Sequence, residues 1–590
     1  MLKMLSFHDI SDLSHAPDNL LPAGLSALLA PPGAGASRVI YQQQSAGQTG
    51  ALAVGSLPEP LLTLMEQDRL GAALTAMGAD PAAGAVLAGE DAAATAGASF
   101  APAVWPAART DMVPPDNVEE IGIIDAGIAF WNSAFQDSHG ASRFASFGGL
   151  TLKSGELLAG EILDPAVLTA MVARGHTSAG DRENRQQLAA LLPSSVYAPV
   201  AYGRPLFPPN AMAHGTAMTE LVLSTASDTA RLHGLELPQD VVRDLSGGMM
   251  GGVLNGAVRA LVDQVVASRS DGNPFRMVVL LAFGFLGGPQ EGMAAEHQLV
   301  EQLNATLASY RDLGIEVQLV VPMGNHLQDQ AHATLPADRK LGWRIQPDDH
   351  SLNTLEVIHP GPVAKIRLIA PDGSKVKLKR NRKALGILKH SGKAIGAVWH
   401  QEIGGGLLRT RISLNPSATR QSGLAAAPFG LWQIKLPNGP EAEVWILRDE
   451  MGFDANPATP SRRSWLEDGA RPLRDPNGMP FLDDSAAPVG ALVLRAGSGS
   501  LLAAHSAPQI TSVGAQWQMA AGGAKQCWYS GNALDGTAPE RWEDLATGAD
   551  PAHRPIGPFG RRAVLGNGGQ QRYRAAGTSL AAALAAGSMA

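Results

Sequence analysis

Short apolar runs alternate along much of the chain with longer stretches in which apolar residues recur three and four positions apart. Residues 121–124 are continuously apolar or glycine and stop abruptly on Asp125, followed by Ala126 and Gly127. A run this short, closed by a turn-forming glycine, predicts a buried parallel strand. The stretch 212–226 spaces Met218, Leu221 and Leu223 at helical intervals and places His214 in the first turn of the predicted helix. Residues 253–266, VLNGAVRALVDQVV, predict another helix. Residues 277–286, MVVLLAFGFL, predict a second buried strand. That run is about half the ~20 apolar residues a helix needs to cross a bilayer. Residues 294–314 predict an amphipathic helix leading into a strand over 317–321, which ends near Gly324 and Asn325. Helix and strand in this succession predict a parallel sheet with helices on both faces.

The pattern changes over residues 346–450. Segments such as TLEVIHP, LLRTRISLNP, GLWQIKLPNG and AEVWILRDE alternate apolar and polar residues between turn signals, the signature of antiparallel strands. They predict an inserted β-sandwich. Within it, residues 372–393 form the one densely basic stretch. A solvated strand and hairpin face is the simplest account, ahead of a docking site for an acidic partner or a self-cleavage loop. Nucleic acid is least favoured, because no aromatic residues are interleaved. Earlier, residues 79–108 are rich in Ala, Gly and Pro and predict a linker, and RENRQQLAALL in the 141–210 region predicts a helix.

Composition narrows the picture. The chain has 590 residues, which predicts two to four domains. At 45% hydrophobic and 17% charged residues it is globular in type, and a net charge of −8 argues against general nucleic-acid binding. The single cysteine, Cys527, rules out an internal disulfide framework and fits a reducing compartment. The first residues place Asp and His too early for the core of an export signal, so a cytoplasmic location is expected. No phosphate-cradling loop, HExxH, paired zinc cysteines or D-x-D-x-D-G calcium loop occurs.

Four polar residues stand at the ends of predicted elements: Asp125, His214, Asn325 and Ser579, the last in GTSLAAALAAG near the end of the chain. Singly, each has an ordinary account. Asp125 could cap a turn, His214 could be a core or surface histidine, Gly324-Asn325 could be a simple turn, and the Ser579 segment could be a small-residue helix. A competing His-Gly pair at His139 lacks a following helical pattern.

Taken together, IIDAG, HGTAM, VVPMGN and GTSLAAALAAG resemble the four signature blocks of the subtilase (subtilisin-like) serine peptidase family, in the family's order. The likeness extends to FRMVVLLAFGFLGGP, similar to the strand and glycine-rich edge of the family's substrate cleft, and to SAPQITSVGA, similar to a following strand. The resemblance implies a subtilisin-like α/β fold and peptide hydrolysis. Ser579 would be the nucleophile, His214 the general base and Asp125 its orienting partner. Asn325 would be an oxyanion donor, and Ala282, Phe283 and Gly284 would line the substrate cleft. It implies a protein or peptide substrate and no required cofactor. Calcium often stabilises such enzymes, but no ligands for it are assigned. Departures from the family pattern are Ala126, Ala217, Ala583, Leu584 and the LAFGF of residues 281–285.

The expected organisation is an N-terminal region over 1–117, a prodomain or docking arm with a linker. A first peptidase part follows over 118–335, then a β-rich insert over 336–500 and a second peptidase part over 501–590. The alternative is a catalytically silent or partner-activated protein of the same fold acting through the insert, with a regulatory protein partner.

Overall fold

The structure, a computed structural model, describes residues 2–7, 38–42, 52–56, 72, 76, 85–88, 117–153, 156–159, 162–175, 214–237, 250–269, 272–295, 297–361, 365–379, 385–419, 425–447, 462–470, 489–505, 507–518, 523–534, 541–547, 562–565 and 572–590. The helix expected within RENRQQLAALL lies outside these residues, as does most of the expected linker over 79–108. That linker span does contain a described strand, Ala85–Ala88. It pairs with Arg38–Gln42, which in turn pairs with Leu52–Ser56.

A parallel sheet holds the site. Its elements in chain order are β1 (Glu120–Asp125), β2 (Phe144–Lys153), α1 (His214–Leu223), β3 (Arg231–Glu236), α2 (Met250–Ser268), β4 (Phe275–Leu281), α3 (Gln298–Arg311), β5 (Ile315–Pro322), β6 (Ile510–Gln518) and α4 (Thr578–Ser588). The strands lie in the order β6-β5-β4-β1-β3-β2, every neighbouring pair parallel. Antiparallel additions flank it, Glu156–Ala159 beside β2 and Ala524–Gln526 beside β6. Parallel strands covered on both faces are built from nearly continuous apolar runs, which is why β1 and β4 were legible as short hydrophobic blocks.

Strand alternation divides the side chains between two cores. Ile121 and Ile123 of β1, with Val278 and Leu280 of β4, join the core formed with α1 and α4. Ile124, Met277, Val279 and Leu281 join the core on the other face, with α2 and α3. Asp125 is in phase with Ile121 and Ile123, so period-two geometry aims it toward the α1 and α4 face.

Two predicted elements are shorter in the structure. The strand expected over 277–286 ends at Leu281, because the registers offered by β1 and β5 end at Leu281 and Leu280. The helix expected over 294–314 starts at Gln298, where His297 accepts the Leu299 amide at 3.2 Å as its cap.

Two antiparallel sheets are built from the chain between β5 and β6, one of them with Leu2–Phe7 from the start of the chain added at its edge. One has the order Leu2–Phe7, Leu385–His390, Lys393–Glu402, Leu407–Leu414, Asn353–Pro360, Ala442–Leu447, His332–Leu335, Val493–Leu494. The other has the order Lys375–Lys379, Lys365–Ile369, Gly430–Lys435, Lys340–Ile345, Trp465–Glu467. Side chains from both sheets, including Leu355, Val357, Trp343, Trp432 and Ile434, share one apolar cluster.

Alternating antiparallel strands commonly leave one face solvated, yet all of Leu407–Leu414 and all but the last residue of Asn353–Pro360 are buried. The polar phase is covered because this face packs against the peptide that leaves β4. Glu356 accepts the Gly288 amide at 2.9 Å and the Arg411 Nε–H at 2.8 Å. The basic stretch is different. Lys375 and Lys377 are exposed on an edge strand while Leu378, in the opposite phase, is buried.

Candidate functional site

Asp125 is fully buried at the end of β1, where the chain turns sharply through Gly127 at φ 75°. His214 is the first residue of α1. Its Nδ1 lies 2.9 Å from Asp125 Oδ1 and 2.8 Å from Oδ2. The imidazole is 22% exposed while the carboxylate is completely enclosed, so the pair presents one ring edge toward solvent and hides its anion.

The residues after the histidine explain the meeting. A Cβ on Gly215 would stand 2.5 Å from Ile128 Cγ1, 2.9 Å from the Ala126 carbonyl oxygen and 3.1 Å from Asp125 Cβ. Only glycine lets the start of α1 press this closely onto the turn after Asp125. The Gly215 amide then donates to the Ala126 carbonyl at 2.9 Å and the Thr216 amide to the Gly127 carbonyl at 3.1 Å. The Thr216 hydroxyl also donates to Gly127 O at 2.8 Å and accepts the Ala129 amide at 2.8 Å. The three residues His-Gly-Thr are therefore one device, which holds an imidazole against a carboxylate from a different element.

Ser579 enters from α4, with a relative exposure of 9%. The helix is enclosed by its own small residues. Ala581, Ala582, Ala583, Ala585 and Ala586 are buried, and a Cβ on Gly587 would meet Thr225 Oγ1 at 2.2 Å. The Ser579 hydroxyl donates to the Ala282 carbonyl at 3.0 Å, just past the end of β4.

Asn325 stands 253 positions before Thr578 yet accepts its amide at 2.8 Å and its hydroxyl at 3.1 Å through Oδ1. The Thr578 hydroxyl in turn accepts the Gly324 amide at 3.0 Å. With its carbonyl oxygen committed, the Asn325 side chain turns its Nδ2–H₂ toward Gly577, where a Cβ would approach it to 3.4 Å. Asn325 itself is exposed. Hydrogen bonding thus fixes which way the amide faces.

The segment expected to line a cleft divides by residue. The Ala282 side chain is buried and offers its backbone to Ser579. The Phe283 ring lies 5.9 Å from the His214 ring, centroid to centroid. Phe285 is buried in the opposite core. A Cβ on Gly284 would fall 2.6 Å from Ser500 Oγ, so glycine there makes room for a side chain arriving from beyond the antiparallel sheets. His139 occupies an exposed turn capped by Asp137.

Three residues of this site were not singled out from sequence. Thr216 and Thr578 carry tying hydroxyls, and their signal was adjacency to His214 and Ser579. Glu236 accepts the Gly127 amide at 2.6 Å and the Ile128 amide at 3.1 Å. Its signal was an apolar strand, RLHGLE, that ends on a carboxylate much as β1 does.

Burial alone would push the His214 imidazole down, but the charge and hydrogen bond of Asp125 outweigh it and hold the pKa above the ordinary 6.5. The C2–H resonance of His214, followed by NMR across the neutral range, is expected to titrate above 6.5. In Asp125→Asn that midpoint is expected to fall. An unchanged midpoint would show that the carboxylate does not stabilise the imidazolium.

Chemically, a buried carboxylate backing an imidazole, a hydroxyl at a helix start and an outward-facing amide are groups of the kinds that can act as base, nucleophile and anion donor. Among the described residues, no group of three or more His, Cys, Asp or Glu side chains gathers as a metal ion would require, and no helix is long and apolar enough to cross a membrane.

No protein-family model matches the chain, and no curated protein matches it. Among solved structures it is similar to a Clostridium perfringens protein described as the CspB protease. Identity is 14%, with 80% of this chain and 81% of that one covered, at a TM-score of 0.47. A likeness that loose identifies neither the fold family nor the activity.

Proposed function

We propose that this chain is a serine endopeptidase of the subtilisin-like type, hydrolysing peptide bonds through Asp125, His214 and Ser579 with Asn325 as oxyanion donor. One observation carries the reading. His214 Nδ1 is held 2.8–2.9 Å from both oxygens of a fully buried Asp125 carboxylate, on the sheet face that α4 covers with Ser579. With Nδ1–H committed to Asp125, Nε2 is the basic nitrogen.

In the reaction, the Ser579 hydroxyl leaves the Ala282 carbonyl, passes its proton to His214 Nε2 and attacks the scissile carbonyl carbon. The imidazolium, stabilised by Asp125, returns the proton to the departing amine. The resulting acyl-enzyme is cleared by water using the same base. Asn325 Nδ2 and the Ser579 amide donate to the tetrahedral oxyanion, and one such donor typically contributes about 2.7–4 kcal/mol. The first turn of α4 adds partial positive charge at that point. The substrate is a protein or peptide, and no cofactor takes part. The antiparallel sheets between β5 and β6 form an inserted β-sandwich that shapes access, since they grip the segment leaving β4 through Glu356 and Gly288.

The second reading is a silent or partner-activated form. It draws support from the resting bond of the Ser579 hydroxyl to Ala282, which must break before attack. A fluorophosphonate probe separates the readings. It is expected to label the full-length protein covalently at Ser579, with labelling lost in Ser579→Ala. If no labelling occurs with or without candidate partners, the peptidase assignment is wrong.

A further inference from the structure

Glu236 is the last residue of β3 and pairs in register with Asp125 on the adjacent parallel strand. It is 5% exposed. In-register neighbours of parallel strands point to the same face, so the two carboxyl groups rise side by side. The partners of Glu236 among the described residues are backbone amides, not a cation: Gly127 N–H at 2.6 Å to Oε1 and Ile128 N–H at 3.1 Å to Oε2. Burial pushes its carboxyl up to about 8, against the pull of those two amides and with the neighbouring charge of Asp125 adding to the rise. Burying a carboxyl group is costly unless its oxygens are hydrogen-bonded, and here both meet backbone amides of one turn.

The turn that Glu236 grips begins at Asp125 itself. From the other side, α1 takes hold of the same turn by its carbonyls, through the Gly215 and Thr216 amides and the Thr216 hydroxyl. The amides of residues 127 and 128 go to Glu236, and the carbonyls of residues 126 and 127 go to α1. Residue 126, where a hydroxyl side chain would offer Asp125 a further donor, is alanine. Asp125 receives only a backbone amide there, Ala126 N–H at 2.6 Å. The orientation of the catalytic carboxylate therefore rests on the backbone of this turn, and the turn rests on Glu236.

We propose that Glu236 is a positioning residue, which sets the angle at which Asp125 meets His214 by fixing the turn between them. This rests on the peptidase reading for its kinetic consequence but not for its geometric one, and the two can be tested apart. Glu236→Ala removes both acceptors. Glu236→Gln keeps the length and one acceptor oxygen, and it guards against an alanine variant that simply fails to fold.

The measurements are kcat and KM on a peptide substrate, normalised to active sites titrated with fluorophosphonate, and the downfield Nδ1–H proton resonance of His214, assigned by its loss in His214→Ala. Because small displacements of catalytic groups can cost on the order of 100-fold, Glu236→Ala is expected to lose roughly 10- to 100-fold in kcat per titrated site. KM should stay within about twofold, Glu236→Gln should fall between the alanine variant and the parent, and the Nδ1–H resonance should shift or broaden in both. Unchanged kcat per titrated site in both folded variants would overturn the proposal, as would a loss appearing only as fewer titrated sites or a lower melting temperature. If the parent itself neither labels nor cleaves, the peptidase reading has failed. The resonance then decides alone, and an unmoved Nδ1–H in Glu236→Ala refutes the positioning role.

Discussion

Ser579→Ala is expected to cut peptide hydrolysis by about four to six orders of magnitude, and adding His214→Ala and Asp125→Asn to the same chain is expected to cost almost nothing more. In the proposed mechanism the three side chains act as one unit. Without the hydroxyl the imidazole has no proton to accept, and without the imidazole the carboxylate has no charge to stabilise. Asn325 remains in place in every variant, because its Oδ1 is held by Thr578 rather than by Ser579. Residual catalysis should therefore be similar in the single and the triple variant. The check is initial rates per mole of enzyme on one peptide substrate at saturating and limiting concentrations. Losses that add across the three substitutions would mean the groups act separately, and a small loss in Ser579→Ala would remove the nucleophile from the scheme.

Glu120→Ala is expected to lower stability by about 3–5 kcal/mol. Glu120 begins β1 with its carboxylate fully enclosed. It accepts His233 Nε2–H at 2.6 Å, Arg269 Nη1–H at 2.7 Å and Arg231 Nη1–H at 3.1 Å. His233 Nδ1 lies 2.7 Å from the Ser146 hydroxyl, which accepts from Gln264 at 2.8 Å. Removing the carboxylate leaves His233 Nε2–H without its buried acceptor and Arg269 with Glu119 as its remaining carboxylate.

Burial pushes the Glu120 carboxyl up, but His233 and the two arginines prevail and hold it below its usual 4.5. Burial also pushes the His233 imidazole below 6.5, so it stays neutral in the fold. In both cases the unfolded chain binds the extra proton. Stability from this cluster is therefore full above 6.5 and declines as pH falls, first as unfolded histidine charges and then below 4.5 as unfolded carboxylate protonates. Urea midpoints for parent and variant should stay apart above 4.5 and converge as pH falls below it, where the unfolded carboxylate of the parent protonates. Equal midpoints at neutral pH would show that the cluster is not a structural anchor.

That cluster also sharpens the functional argument, because Glu120, His233 and Ser146 repeat the carboxylate, imidazole and hydroxyl of the proposed triad. Their chain of contacts is sealed, with His233 side-chain exposure at 0% against 22% for His214. Residue type and hydrogen bonding alone do not distinguish a reactive set from a structural one. Access to solvent at a strand end does.

The order of polar residues and the period of apolar ones are written along the chain, so β1, α1, β5 and α4 could be located, and with them Asp125, His214, Asn325 and Ser579. These features are local, because a strand ending on Asp and a helix opening on His-Gly-Thr depend on neighbours a few residues away. Three things were decided only by the fold. The β4 strand stops at Leu281, since a strand lasts only as long as its neighbours offer partners, and those lie far off in sequence. The polar phase of the strands Asn353–Pro360 and Leu407–Leu414 is buried, since alternation records which residues share a face but not what covers it. Glu236 sits beside Asp125, since register between parallel strands is set by long crossovers and packing, and no spacing within one strand encodes it.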